Sequence, residues 1–80
     1  MPNDRIVPVL EEIFRAVFNR PEAADVSGIR QLTEHTWDSL AHVSLVSAIE
    51  SEFGITIDTG DAIELTSFEA MRLYLEDAVR

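Results

Sequence analysis

The residues whose types and spacing could do chemistry are Asp38-Ser39-Leu40, with His42 one turn further on. They sit in the run Thr36-Trp37-Asp38-Ser39-Leu40-Ala41-His42-Val43, which leads into an amphipathic stretch ending Ile49-Glu50-Ser51-Glu52-Phe53-Gly54-Ile55. Asp38 is a good N-cap, because its carboxylate can accept from a backbone N–H of the first turn. Ser39 then becomes the first helical residue, with its side chain at the helix mouth. Free backbone N–H groups and the positive end of the helix dipole favour an anion there. A phosphodiester on the Ser39 oxygen would sit in that field. An Asp-Ser pair is also an ordinary helix start, and from these residues alone both readings stand.

Other chemistries fit poorly. A Ser39–His42 hydrolase lacks a Gly-x-Ser-x-Gly elbow and an evident acidic third member, so no catalytic residue is assigned. His35 has no second ligand at metal spacing, and Asp58-Thr59-Gly60-Asp61 has the wrong ligand order for a calcium loop, so no metal site is expected. The chain has no cysteine, which rules out a disulfide or thiolate site and suits a reducing compartment. No apolar run approaches a membrane span, and the N-terminus lacks a secretion signal. The expectation is a soluble, cytoplasmic, monomeric protein that does not engage a membrane.

A net charge of -9 argues against a nucleic-acid partner. There is no lysine, and the six arginines leave Gln31 to Met71 without a basic residue other than His35 and His42. That stretch holds eight acids: Glu34, Asp38, Glu50, Glu52, Asp58, Asp61, Glu64 and Glu69. They read either as a solvated surface or as a docking face that steers basic partners.

The elements that must position Ser39 follow from periodicity. Eighty residues make one domain, 1–80. Ile6, Val9, Leu10, Ile13, Phe14 and Val17 form one apolar stripe of a first helix. It starts between Asp4 and Pro8, with Asn3 or Asp4 as cap, and ends at Asn19 and Pro21. Arg20 to Trp37 is a long connection, with a turn at Ser27-Gly28 and with Val26, Ile29 and Leu32 spaced to pin it to the core. The second helix runs from Ser39 to Phe53 with Leu40, Val43, Val46, Ile49 and Phe53 on one face, widened by Leu45 and Ala48. That breadth predicts a well-buried, central helix, with Leu40 and Val43 anchoring its first turn to the core. Gly54 stops it. Ile55 and Ile57 are expected to be buried in an extended linker. A short helix is expected at Asp61–Leu65, with Asp61 and Glu64 as a capping pair, and a last helix at Thr66, with a Thr66–Glu69 capping box and Leu65 and Ala70 as staple. Phe68, Met71, Leu75 and Val79 line its inner face. Trp37 and His42 occupy staple positions around Asp38 and are placed to pack together, so Trp37 reads either as a partly buried aromatic that fixes the loop or as a contact for a partner. The sum is an all-α four-helix bundle, with three main helices, one short third helix and a long first loop.

Trp37-Asp38-Ser39-Leu40, Val43, Leu45, Val46, Ala48, Ile49, Glu50, Glu52-Phe53-Gly54-Ile55 and Ile57 together resemble the acyl carrier protein family, which includes peptidyl and aminoacyl carriers. The resemblance extends more weakly over nearly the whole chain. It implies that Ser39 receives 4'-phosphopantetheine from coenzyme A through a Mg2+-dependent phosphopantetheinyl transferase. The protein would then be a discrete shuttle for a thioester-bound acyl or aminoacyl group, not an enzyme. Its partners would be that transferase, an acyl or aminoacyl ligase or synthase, and a downstream transferase with a basic docking surface. On this likeness Asp38 and Leu40 belong to the attachment site with Ser39, and Val43 extends its apolar part. Trp37, Val43, Glu50, Glu52, Asp61 and Glu64 are docking candidates. Val46, Ile57, Ile63 and Leu65 would line a space for cargo, and His42 would lie exposed near the arm. Fatty-acid-synthesis carriers usually place acids two and five positions after the serine. Here those positions are Ala41 and Ser44, which favours a dedicated carrier of a specialised pathway. The alternative is an acidic helical interaction module without a prosthetic group.

Overall fold

The computed structural model describes residues 5–79. Four helices follow in order: α1 (Ile6–Val17), α2 (Ser39–Phe53), α3 (Thr59–Glu64) and α4 (Phe68–Ala78). The four-helix architecture agrees with the sequence reading.

The α1 stripe buries Ile6, Leu10, Ile13 and Phe14. Pro8 falls in the first turn, where its missing N–H would have no intrahelical partner anyway. Arg5 occupies the N-cap position without a side-chain cap bond; Asn3 and Asp4, the expected caps, lie outside the described residues. Asn19 ends the helix in the left-handed region at φ 54°, a conformation asparagine tolerates.

Phe14 is fully buried at the centre of the core. Its ring centroid lies 5.1 Å from Phe68, 5.7 Å from Trp37 and 5.8 Å from Phe18. These contacts bring the start of α2 and the start of α4 to the C-terminal part of α1. At the other end the Arg5 guanidinium lies 5.8 Å above the Phe53 ring.

The long loop is anchored, as expected, but not at every expected residue. Val26 is buried and Ile29 half-buried, whereas Leu32 is 88% exposed. The reason is a short bridge between Arg30 and Ser67. Gln31 donates to the Thr66 carbonyl at 2.9 Å, and Phe68 donates to that of Ile29 at 3.0 Å. The chain then turns back on the Arg30 carbonyl and throws Leu32 outward. Arg15 donates twice to the Ala24 carbonyl, at 3.0 and 2.9 Å. Arg20 joins the two ends of the loop by pairing with Glu34 and donating to the Phe18 carbonyl.

Three boundary and face expectations need correction. In α2 only Leu45 and Ile49 are buried. Leu40 and Val43 are 75% and 60% exposed, so they do not anchor the first turn. A helix that is apolar over much of its circumference can pack on several faces. Here α1 selects the Leu45–Ile49 side, and α3, which buries none of its own residues, leaves Leu40 and Val43 uncovered. The third helix begins at Thr59 after Asp58, two residues early, so Asp61 and Glu64 are not its capping pair. In α4 the cap is Ser67, whose hydroxyl accepts from Ala70 at 2.9 Å, so the Thr66–Glu69 box does not form. Thr66 has its carbonyl held by the loop bridge instead. Ile57 is buried and Ile55 half-buried, as the linker pattern predicts.

Candidate functional site

The loop ends on a buried anchor. Trp37 is only 4% exposed, and its centroid lies 5.4 Å from that of Phe18. As a docking candidate Trp37 is therefore corrected: its ring fills the core and offers a partner almost no surface. The next residue turns the chain into α2. Asp38 has extended backbone at φ -100° and ψ -171°, and its Oδ1 accepts from the Ala41 amide at 2.9 Å. Its carbonyl accepts from the His42 amide at 2.9 Å.

Ser39 is thus the first residue of a 15-residue helix, and it is exposed. Because Asp38 supplies the cap, the Ser39 hydroxyl is not drawn into capping, and it has no hydrogen-bond partner among the described residues. It stands over an open groove of about 340 Å³ lined by Gln31, His42, Val43 and Ile63. A second groove of about 290 Å³ continues between α2 and α3 along Val43, Val46, Ile57, Ala62 and Ile63. Leu65, the remaining residue expected to line a cargo space, is buried in the core instead. Ile63 is 68% exposed and belongs with Leu40 and Val43 to an uncovered apolar surface around the serine.

His42 is half-buried, not exposed as expected. Its Nδ1 accepts from the Trp37 indole N–H at 3.1 Å, and the two rings stack with centroids 6.1 Å apart. Its Nε2 lies 2.8 Å from the Ala62 carbonyl in α3. The Trp37–His42 pairing was legible as a staple. The Ala62 end was not, because nothing in a sequence marks a backbone carbonyl twenty residues away.

The acids fall into three places. Glu50 is half-buried and accepts from the Ile57 amide at 2.7 Å, so one of its oxygens holds the α2–α3 linker. Glu52 lies at the far end of α2 beside Val9, Glu12 and Val17 of α1, away from the serine. Asp61 and Glu64 are exposed on α3, flanking the half-buried Ala62 and the exposed Ile63. Tyr74 of α4 reaches Asp61 with its hydroxyl at 3.4 Å. Burial first, and then the negative charge of Asp61, hold that phenol above its usual range.

An exposed serine leading a capped helix beside an apolar groove is an arrangement suited to bearing a tethered group. A family model described as phosphopantetheine attachment site matches residues 8–75. The chain belongs to this phosphopantetheine-attachment family. No curated protein and no solved structure matches it. The domain is the site of covalent 4'-phosphopantetheine attachment, and the protein is a carrier. Carrier domains of this family are not catalytic themselves, and they meet a phosphopantetheinyl transferase and biosynthetic enzymes. The residues present fit the group: a hydroxyl without a partner, a helix N-terminus to receive its phosphate, and apolar side chains beside it. Among the described residues no helix is long and apolar enough to cross a membrane, and no cluster of His, Asp and Glu could hold a metal.

Proposed function

We propose that Ser39 is the attachment residue and that this carrier serves a specialised acyl or aminoacyl pathway. The observation that supports it best is the division of labour at the start of α2: Asp38 takes the cap and leaves the Ser39 hydroxyl exposed and without a partner. When bound, the arm supplies the thiol that a chain without cysteine lacks. Asp38 fixes the first turn and with it the direction of the serine oxygen. Leu40, Val43 and Ile63 form an apolar surface on which a transferase can seat itself. Asp61 and Glu64 add negative charge on α3, and a basic partner approaching from that side is steered toward the serine. Val43, Val46 and Ile57 give the groove between α2 and α3 an apolar wall against which a cargo chain can lie. On this reading the protein is one carrier domain working as a monomer in the cytoplasm.

The test is direct. The protein is incubated with coenzyme A, Mg2+ and a broad-specificity phosphopantetheinyl transferase, and its intact mass is measured. A gain of one phosphopantetheine that disappears in Ser39→Ala is expected. A gain that persists in Ser39→Ala would move the attachment to another residue, and no gain with several transferases would favour the acidic interaction module.

A further inference from the structure

We infer that Trp37, His42 and Ala62 form a proton-sensitive latch that ties the loop end beside Ser39 to α3. The chemistry of the three partners dictates the state of the ring. An indole N–H can only donate and a carbonyl can only accept, whereas a neutral imidazole has one nitrogen of each kind. His42 presents Nδ1 to the Trp37 N–H at 3.1 Å and Nε2 to the Ala62 oxygen at 2.8 Å. Only the neutral ring with its proton on Nε2 satisfies both. The imidazolium carries a proton on each nitrogen, so its Nδ1–H would meet the Trp37 N–H donor to donor. The Ala62 bond survives protonation and the Trp37 bond does not.

The surroundings turn this into a device. Trp37 is buried, so losing the partner of its N–H carries a cost, and the indole or the imidazole must shift to relieve it. Trp37 immediately precedes Asp38 and Ser39, and His42 borders both the groove under Ser39 and the groove between α2 and α3. The α3 helix is only six residues long, buries none of them, and has no side-chain cap bond at its start. The His42–Ala62 bond is one of the contacts that hold it, with the buried Ile57 and Leu65 on either side and the Glu50–Ile57 bond before it. The charged and titratable groups on the elements the imidazole joins are Glu50 and Glu52 on α2 with Asp38 at its cap, Asp61 and Glu64 on α3 with Asp58 at its cap, and Glu34 and His35 in the loop end after Arg30; no Lys or Arg lies between Gln31 and Met71. Protonation thus breaks the Trp37–His42 bond while the Ala62 bond stays, and shifts the mouth of α2 with the Trp37 ring still held in the core.

The test uses the unmodified full chain labelled with 15N, so its outcome does not depend on whether Ser39 accepts a prosthetic group. Above the imidazole titration, the ring nitrogens should show the proton on Nε2; a neutral ring protonated on Nδ1 would overturn the latch. On acidification the Trp37 indole cross-peak and the Ser39 amide should shift with the same midpoint as the His42 ring. An indole signal that stays still while the ring titrates would overturn it as well. In His42→Gln, which can still donate to Ala62 but does not titrate, the indole shift over that interval should vanish. If it persists at wild-type size, the latch is wrong. Should His42→Gln fail to fold, the tautomer and the shared midpoint in the natural chain decide.

Discussion

The Asp38 carboxylate accepts from the Ala41 amide at 2.9 Å, and this bond defines the start of the helix that presents Ser39. Asp38→Ala should lower stability by about 1 kcal/mol, the usual cost of removing such a cap. Asp38→Asn keeps an acceptor and should lose less. Urea unfolding of the three proteins checks the order, wild type above Asn above Ala. Intact-mass kinetics should show slower arm transfer to the alanine variant, because its first turn frays around the serine.

Phe14 holds the bundle together, since its ring meets Trp37 before α2, Phe68 at the start of α4 and Phe18 after α1. Phe14→Ala removes a fully buried ring and should cost about 3–5 kcal/mol. Small domains are stable by roughly 5–10 kcal/mol, so most of the cooperative transition should be lost or shifted to low urea. A near-native urea midpoint would show that the aromatic cluster is not the centre of the core.

Gly54 closes α2 at φ 64° and ψ 36°, and a methyl group at that position would meet no atom within 4 Å. Gly54→Ala should therefore lose only the conformational term, about 1–2 kcal/mol. Gly54→Asn should lose less, because asparagine enters this region more readily. Equal losses in the two variants would mean that packing, not backbone conformation, sets the cost.

What was legible in the sequence was local. The stripe of α1, the Asp38 cap and the Gly54 stop each depend on residues within a turn or two of one another, and they appear where expected. What was not legible depended on distant contacts. Thr66 and Ser67 are adjacent hydroxyls that can each cap a helix, serine the better of the two, and the loop bridge at Arg30 accompanies the choice of Ser67. Leu40 and Val43 are apolar and helical, yet they stay in solvent because α1 packs on another side of α2 and α3 is too short to cover them. The capped, exposed serine at the start of α2 was legible as a motif, whereas Ile63, which adds an exposed apolar side chain from the next helix, was read only as part of a cargo space.

Glu34 should make the loop sensitive to acid. Its carboxylate accepts from the Thr36 hydroxyl at 2.6 Å and pairs with Arg20. The Thr36 hydroxyl first, then the Thr36 amide and the Arg20 charge, hold it below the usual carboxylate range. A group whose folded value is depressed adds stability above its unfolded value and loses it as pH falls through the folded one. The stability difference between wild type and Glu34→Gln should therefore be largest near neutral pH and shrink on acidification. Comparing the two proteins cancels the opposite trend, the relief of self-repulsion as the -9 chain is protonated. A difference that grows toward low pH would contradict the assignment.

Leu40 separates docking from folding. It follows Ser39 directly, is 75% exposed, and lies one turn before the exposed Val43 on the same helix. Truncating an exposed side chain away from special features changes stability by about 0.5 kcal/mol or less. Apolar anchors at the centre of an interface commonly cost more than 1 kcal/mol when truncated, and about 1.4 kcal/mol is a tenfold change. Leu40→Ala should therefore keep the wild-type urea midpoint and lower kcat/KM for arm transfer about tenfold. Ser51→Ala, an exposed site eleven residues further along the same helix, should change neither. If Leu40→Ala is modified at the wild-type rate, the apolar rim is not where the transferase sits, and the acids of α3 must carry the recognition instead.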